Sequence, residues 1–297
     1  MTKLDLSGIF PPVPTPFEGG RVAHDKLASN VKKWCATGIS GIVVLGSNGE
    51  YVYLSEKEKC ETVKTVADAV PEGMTVIAGT GCESTDRTIE LTCDCAEKGA
   101  HAALVISPHY YHGSMGNEAL ARYYIDVADK STIPVLLYNV SKFTHINLDA
   151  GLVAELSKHP NIAGIKDSSG NVAQLGEYLN MADPDFQVMV GTAGALFGAL
   201  VSGCAGGVLA CANVAPRECV KIFEFSKAGE YEAARDLQLK LLSVNRAVTA
   251  TFGVAGLKAA LDMLGYFGGE PRRPLLPLNG KDRLQVRKIL EQADLLG

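Results

Sequence analysis

Short apolar runs recur along the chain every 19 to 34 residues, at 8–17, 41–46, 75–81, 102–108, 134–140, 162–168, 187–192 and 206–213. Continuous apolar runs of this length predict strands buried on both faces, as in a parallel sheet. Between them the apolar positions fall at helical spacing. Within 55–70, Cys60, Val63, Val66, Ala67 and Val70 share one face, and Ser55-x-x-Glu58 forms a capping box. Within 84–98, Ile89, Cys93 and Ala96 point inward and Gly99 supplies a C-terminal stop. Residues 116–129, 149–158, 171–182 and 194–203 continue the alternation. Eight strands alternating with helices predict an α/β protein, a closed (β/α)8 TIM barrel rather than an open sheet.

After Asn213 only helical spacing remains, at 216–227, 230–247, 254–264 and 281–295, broken by Gly229, Gly253 and a turn at 268–277. The first of these completes the barrel as its eighth helix. The expected organisation is a barrel over residues 1–225 and a C-terminal helical extension over 226–297. No Ser/Gly-rich linker separates them, so they are expected to pack as one unit.

One of the strand runs ends in a lysine. The run at 162–165 ends in Lys166, followed by the polar cluster Asp167 to Gly170. Burial disfavours an ammonium and lowers a lysine pKa. A neutral amine facing a carbonyl compound makes a Schiff base. A lysine at a strand end can instead snorkel to water or pair with the adjacent Asp167.

Other unusual residues also fall at strand ends, where a barrel of this kind carries its chemistry. Gly46-Ser47-Asn48-Gly49-Glu50 follows the second strand; its glycines can expose backbone N–H groups as an anion nest, and Ser47 and Asn48 add a hydroxyl and an amide. It also reads as an ordinary capped turn. Tyr138 closes the fifth strand, where a phenol can relay a proton or simply finish a core. Gly191, with Thr192 to Gly194, and the glycines of 202–207 surround strands seven and eight, where backbone can approach a ligand closely. His109 and His112 have no carboxylate or third histidine near them in sequence, so no metal site is expected.

Composition narrows the function classes. The net charge of −5 comes without basic blocks, which excludes a footprint for nucleic acid or an anionic membrane. Eight cysteines without a C-x-x-C pair read as buried apolar residues of a reducing compartment. The opening Met1-Thr2-Lys3-Leu4-Asp5-Leu6 has neither a secretory apolar core nor a transit-peptide pattern, and no run is long enough to span a membrane. The cytoplasm is the expected location.

Together, Thr15-Pro16-Phe17, Gly46 to Glu50, Leu137-Tyr138-Asn139-Val140, Gly164-Ile165-Lys166-Asp167-Ser168 and Ala212-Asn213 resemble the dihydrodipicolinate synthase / N-acetylneuraminate lyase family over nearly the whole chain. The resemblance implies a class I, lysine-dependent aldolase acting on pyruvate, without metal or organic cofactor, and a homotetramer. Lys166 matches the Schiff-base lysine and Tyr138 the proton-relay tyrosine. Ser47 and Asn48 match the pair that holds the 2-oxo acid carboxylate, and Leu209 matches a strand-eight residue whose backbone carbonyl faces the substrate. Tyr110 matches a loop tyrosine that reaches a neighbouring subunit's site.

Within the family, Ser47-Asn48, Gly81 to Thr85, Tyr110-Tyr111 and Phe252 to Lys258 look most like 4-hydroxy-2-oxoglutarate aldolase. Phe143 stands where the lysine-biosynthetic synthase has an arginine, Ser141 where a proline is common, and His145 where a glycine is usual. The expected reaction is cleavage of 4-hydroxy-2-oxoglutarate to pyruvate and glyoxylate, with the Ser168 hydroxyl available to the short carboxylate. Condensation of pyruvate with aspartate semialdehyde and cleavage of another 2-oxo sugar acid are the alternatives within the family. Outside it stand a phosphosugar barrel, a metal-dependent pyruvate aldolase and a non-catalytic oxo-acid-binding regulator.

Overall fold

The computed structural model describes residues 4–296; Met1 to Lys3 of the N-terminal stretch read above lie outside the described residues. Eight parallel strands form the barrel: β1 Gly8–Phe10, β2 Gly41–Val44, β3 Thr75–Gly79, β4 Ala102–Ile106, β5 Val135–Asn139, β6 Ile162–Asp167, β7 Gln187–Val190 and β8 Gly206–Val208. Their order runs β1-β8-β7-β6-β5-β4-β3-β2. A parallel bridge between Pro12 and Val43 closes the ring, with the Val43 N–H donating to Pro11 O at 3.0 Å and the Val13 N–H to Val43 O at 2.9 Å.

The first strand is shorter than its apolar run. Pro11, Pro12, Pro14 and Pro16 have no N–H for a ladder, so regular pairing stops at Phe10. Residues Phe17–Glu18 and Arg21–Val22 then pair as a small antiparallel hairpin. The last strand also stops early, at Val208, and Ala210–Asn213 turn as a 3-10 helix.

The outer ring is α1 His24–Cys35, α2 Glu56–Ala69, α3 Thr85–Glu97, α4 Asn117–Lys130, α5 Ala150–Leu156, α6 Val172–Met181, α7 Leu196–Val201 and α8 Pro216–Ala228. The capping box at Ser55 and Glu58 is formed in both directions. Side chains alternate as a period of two requires. Phe10, Val43, Ile77, Leu104, Leu136 and Met189 fill the barrel interior. Ile9, Ile42, Val44, Val105, Leu137, Ile165 and Val188 face the helices. β6 approaches β7 so closely that a Cβ on Gly164 would collide with the Gln187 carbonyl.

Three further helices follow: α9 Tyr231–Arg246, which continues into a π-helical turn Ala247–Thr251, α10 Gly253–Met263 and α11 Gly280–Gln292. They pack on the barrel through specific contacts. Asn30 on α1 exchanges two hydrogen bonds with the Phe267 backbone, at 2.8 and 3.0 Å. The Trp34 and Tyr266 rings stack with centroids 5.1 Å apart.

Candidate active site

A cavity of about 780 Å³ opens over the carboxyl ends of the strands, with Lys166 and Tyr138 in its lining. The adjacent strands β5 and β6 bring the two together. Tyr138 pairs directly with Lys166 in the parallel register, so both side chains emerge on the interior face. Lys166 is 4 % exposed and Tyr138 6 %. The Lys166 Nζ lies 4.0 Å from the Tyr138 ring centroid, and the Ser47 Oγ lies 3.3 Å from the Tyr138 hydroxyl.

These neighbours change the phenol. Burial pushes its pKa up, but the Lys166 ammonium and hydrogen bonds with Ser47, Lys166 and Ser168 outweigh burial, and the net shift is below the ordinary tyrosine value. A phenol lowered in this way can exchange a proton more readily than a free tyrosine.

The next residue on each strand points the other way. Asp167 pairs in register with Asn139, and its Oδ2 accepts the Asn139 amide at 2.6 Å and the Gln174 amide at 2.8 Å. Asp167 is thus occupied between sheet and helix, and the pairing with Lys166 considered from the sequence is not made. Instead, the polar cluster fixes the strand ends from behind. It extends through Tyr178, whose hydroxyl donates to Leu148 O at 2.5 Å and whose pKa is raised by burial and by the Asp167 charge.

The turn after β2 is a 3-10 helix, Ser47–Gly49, and Ser47, Asn48 and Glu50 line the cavity. The Gly49 and Glu50 N–H groups are used inside the turn, by Gly46 O at 2.9 Å and Ser47 O at 3.2 Å. The Ser47 hydroxyl and Asn48 amide are left as the donors characteristic of this wall.

Ser168 and Gly191 line the same cavity. The Gly191 N–H donates to Asp167 O at 2.6 Å, and any Cβ there would strike the Ser168 side chain, so the close approach requires glycine. The Leu209 side chain belongs to the outer core layer, and its backbone carbonyl, the group matched from the sequence, accepts the Ala212 N–H at 3.0 Å. Its neighbour Val208, inside by the period of two, lines the cavity.

Tyr110 does not join these residues within one chain. It is 76 % exposed, and Tyr111 72 %, on a loop whose His109 and Tyr110 N–H groups both donate to Glu83 at 2.9 Å. Only His109 of this loop's aromatic run lines the cavity. Lys142 and Phe143 both do, because Ser141–Thr144 forms one helical turn rather than an extended segment. The Lys142 Nζ lies 5.6 Å from the Phe143 ring centroid. His145, which ends the turn, has φ 57°, the left-handed conformation that favours glycine.

Reading the sequence missed one part of the wall. Val248 and Thr249, from the π-helical turn, line the cavity beside Thr192 of the strand-seven end, whose Oγ1 accepts the Asn245 amide at 3.2 Å. The break at Phe252-Gly253 marks this turn in the sequence but does not say which way it faces. Among the described residues, no group of three His, Cys, Asp or Glu side chains is placed to hold a metal ion. No helix among them is long and apolar enough to cross a membrane.

Comparison with known proteins bears on this geometry. Residues 5–293 match the model described as the dihydrodipicolinate synthetase family. A 4-hydroxy-tetrahydrodipicolinate synthase of Methanothrix thermoacetophila is 36% identical over 293 residues, covering 98% of each chain. The enzyme of the same name from Geobacter metallireducens is 32% identical over 291 residues, covering 98% of this chain and 100% of that one. Among solved structures, dihydrodipicolinate synthase DapA-2 of Bacillus anthracis superposes with TM-score 0.93 at 29% identity, covering 97% of this chain and 98% of that one. YagE of E. coli K12, a member of the same family solved in complex with pyruvate, superposes with TM-score 0.92 at 30% identity, covering 98% and 99%.

Proposed function

The chain belongs to the dihydrodipicolinate synthetase family, a family of class I pyruvate-dependent lyases, and from that premise we propose that Lys166 forms a Schiff base with a 2-oxo acid. The observation that carries this reading is the buried Lys166 amine against the Tyr138 phenol, with Ser47 and Asn48 on the facing wall. The Ser47 hydroxyl and Asn48 amide hold the substrate carboxylate, which the net charge of −5 does nothing to attract.

In the cleavage direction, the free Lys166 amine attacks C2 and the carbinolamine loses water. The protonated imine then accepts the electron pair of the C3–C4 bond as that bond breaks, while Tyr138 takes the proton of the 4-hydroxyl. An aldehyde leaves. The enamine of pyruvate is protonated at C3 and hydrolysed, which frees the lysine. Condensation is the reverse sequence.

Two partners for pyruvate have support. The names of the relatives favour aspartate semialdehyde, giving 4-hydroxy-tetrahydrodipicolinate synthesis. The second reading takes the shorter glyoxylate, with 4-hydroxy-2-oxoglutarate as the cleavage substrate. It is supported by Phe143, which offers no charge-assisted contact to a distal carboxylate, and by Ser168, which lines the cavity that holds Lys166. The relatives support the first reading better, and Lys142, in the same lining, offers a distal carboxylate a cation. The ratio of kcat/KM for the two aldehydes on one enzyme decides between them: a ratio favouring glyoxylate rejects the first reading, and loss of the aspartate semialdehyde activity in Lys142→Ala would identify Lys142 as the anchor. A homotetramer is part of the proposal, supported by the exposed Tyr110-Tyr111 pair.

Borohydride reduction in the presence of pyruvate tests the chemistry directly. One reduced-pyruvate mass is expected on a peptide containing Lys166. Labelling elsewhere, or persistent labelling of Lys166→Ala, rejects the site. Labelling of Lys166 without turnover of any 2-oxo acid would identify a binding protein instead of an enzyme.

A further inference from the structure

Behind the substrate-carboxylate wall lies a buried polar cluster that joins the Ser47–Gly49 turn to the C-terminal helices. Glu50 leaves the turn with φ 53° and ψ 33°, a conformation unfavourable for any side chain but glycine. Its side chain and that of Lys258 on α10 are each 1% exposed, and Glu50 Oε1 lies 2.6 Å from Lys258 Nζ. The second carboxylate oxygen accepts the Arg272 backbone N–H at 2.7 Å. Lys258 donates further to Glu270 O at 3.1 Å and lies 4.3 Å from the Phe17 ring centroid. The Arg272 guanidinium lies 4.4 Å from the same centroid and forks onto Glu58 at 2.7 and 2.9 Å.

A buried ion pair is weak evidence for stability, because desolvation offsets the attraction between its charges. It does fix geometry, since neither charge can move to water without abandoning the other. Here the carboxylate belongs to the residue that ends the Ser47–Asn48 turn, and its backbone is already in an unfavourable conformation. Without the ammonium, the Glu50 carboxylate keeps only the Arg272 backbone N–H as a partner, and the turn that Glu50 ends loses its main anchor. Lys166 and Tyr138 stand on paired strands and would stay in place.

We propose that the Glu50–Lys258 ion pair is a positioning device that fixes Ser47 and Asn48 for the 2-oxo acid carboxylate, so that the C-terminal helices set the affinity for pyruvate. This rests on the assignment of Lys166 as the Schiff-base residue.

The test uses the full-length protein and reads the pyruvate concentration that half-saturates borohydride labelling of Lys166. Lys258→Met is expected to raise that concentration ten-fold or more while the labelling plateau on Lys166 is retained. An unchanged half-saturation in folded Lys258→Met overturns the proposal. Because this variant leaves a buried carboxylate unpaired, the doubly neutral Glu50→Gln/Lys258→Met variant is measured beside it. Its thermal stability is expected to return toward wild type while half-saturation stays raised at least three-fold. Recovery of both together overturns the proposal, since that is the behaviour of a purely structural pair. Wild-type protein that fails to label on Lys166 removes the Schiff-base reading as well, whereas normal wild-type labelling with unmoved variants removes only the positioning role.

Discussion

Two lysines of this chain are buried almost equally and held in opposite ways. Lys258 is 1 % exposed and rests on a carboxylate 2.6 Å away. Burial lowers its pKa, and the Glu50 charge works against that shift. Lys166 is 4 % exposed and makes no ion pair among the described residues. Its neighbour is the Tyr138 phenol, whose pKa the lysine helps to lower. Both lysines interrupt apolar runs in the sequence, so burial alone does not mark a nucleophile. The difference is the partner: a carboxylate turns a buried lysine into a strut, and a phenol leaves its nitrogen available for chemistry.

The largest expected effect separates the two directly. Lys166→Met abolishes pyruvate release but leaves no unpaired carboxylate, so its urea midpoint stays near wild type. Lys258→Met leaves Glu50 buried and unpaired, and breaking such a pair destabilises by about 3–5 kcal/mol. Steady-state kinetics and urea unfolding on both variants check this split. A Lys166→Met protein as unstable as Lys258→Met would show that Lys166 is also a strut.

Smaller effects belong to Tyr138. Tyr138→Phe is expected to lower kcat by about 10²- to 10⁴-fold, the range of a positioned acid-base group, while pyruvate still labels Lys166. The lowered phenol also sets a pH dependence. If the phenolate is the base, kcat rises with pH through a value below the ordinary tyrosine pKa. Ser47→Ala removes one of the hydrogen bonds that lower the phenol and moves that inflection upward. For stability, an acid whose folded pKa is depressed contributes fully above its unfolded value, near 10 for tyrosine, and loses that contribution as pH falls through the folded value. The stability difference between wild type and Tyr138→Phe should therefore narrow as pH falls from above about 10 through the folded value.

The alternation of apolar runs was enough to predict eight strands and the ring of helices, because a parallel barrel writes each strand as a continuous apolar segment. Lys166 and Tyr138 were legible for a related reason: polar atoms at the ends of such segments stand out. Register sets the limit at Val208-Leu209: which of the two side chains faces inward depends on it, and a shift of one residue exchanges the faces. Thr249 and Val248 were not legible as cavity residues, because the direction of the π-helical turn is decided by packing of α9 and α10. Lys258 carried the same signal as Lys166, a lysine in an apolar run, but its partner Glu50 lies some 200 residues away, a distance no local pattern spans.

The smallest effect lies at His145 and is read against the acidic end of the strut. Glu50 and His145 are both non-glycine residues in the left-handed region, with φ 53° and 57°, yet they should respond oppositely to glycine. Glu50→Gly relieves the backbone but leaves the Lys258 ammonium buried without its carboxylate, and the loss of the pair dominates. His145 is exposed at the end of the Ser141–Thr144 turn. Its backbone N–H bond to Ser141 O at 2.9 Å survives any substitution except proline. Its ring contacts His112 at 5.8 Å between centroids, and the pair is solvated, so little packing is lost. The left-handed conformation costs an L residue roughly 1–2 kcal/mol, and the added freedom of glycine in the unfolded chain takes back about 0.4–1 kcal/mol. His145→Gly should therefore stabilise by about 0.5–1 kcal/mol, the difference between those two terms, and His145→Val should destabilise because a β-branched side chain fits that conformation worst. Urea unfolding of the three variants reads the signs. A destabilised His145→Gly would mean that the imidazole contact with His112 holds this loop, as Lys258 holds Glu50.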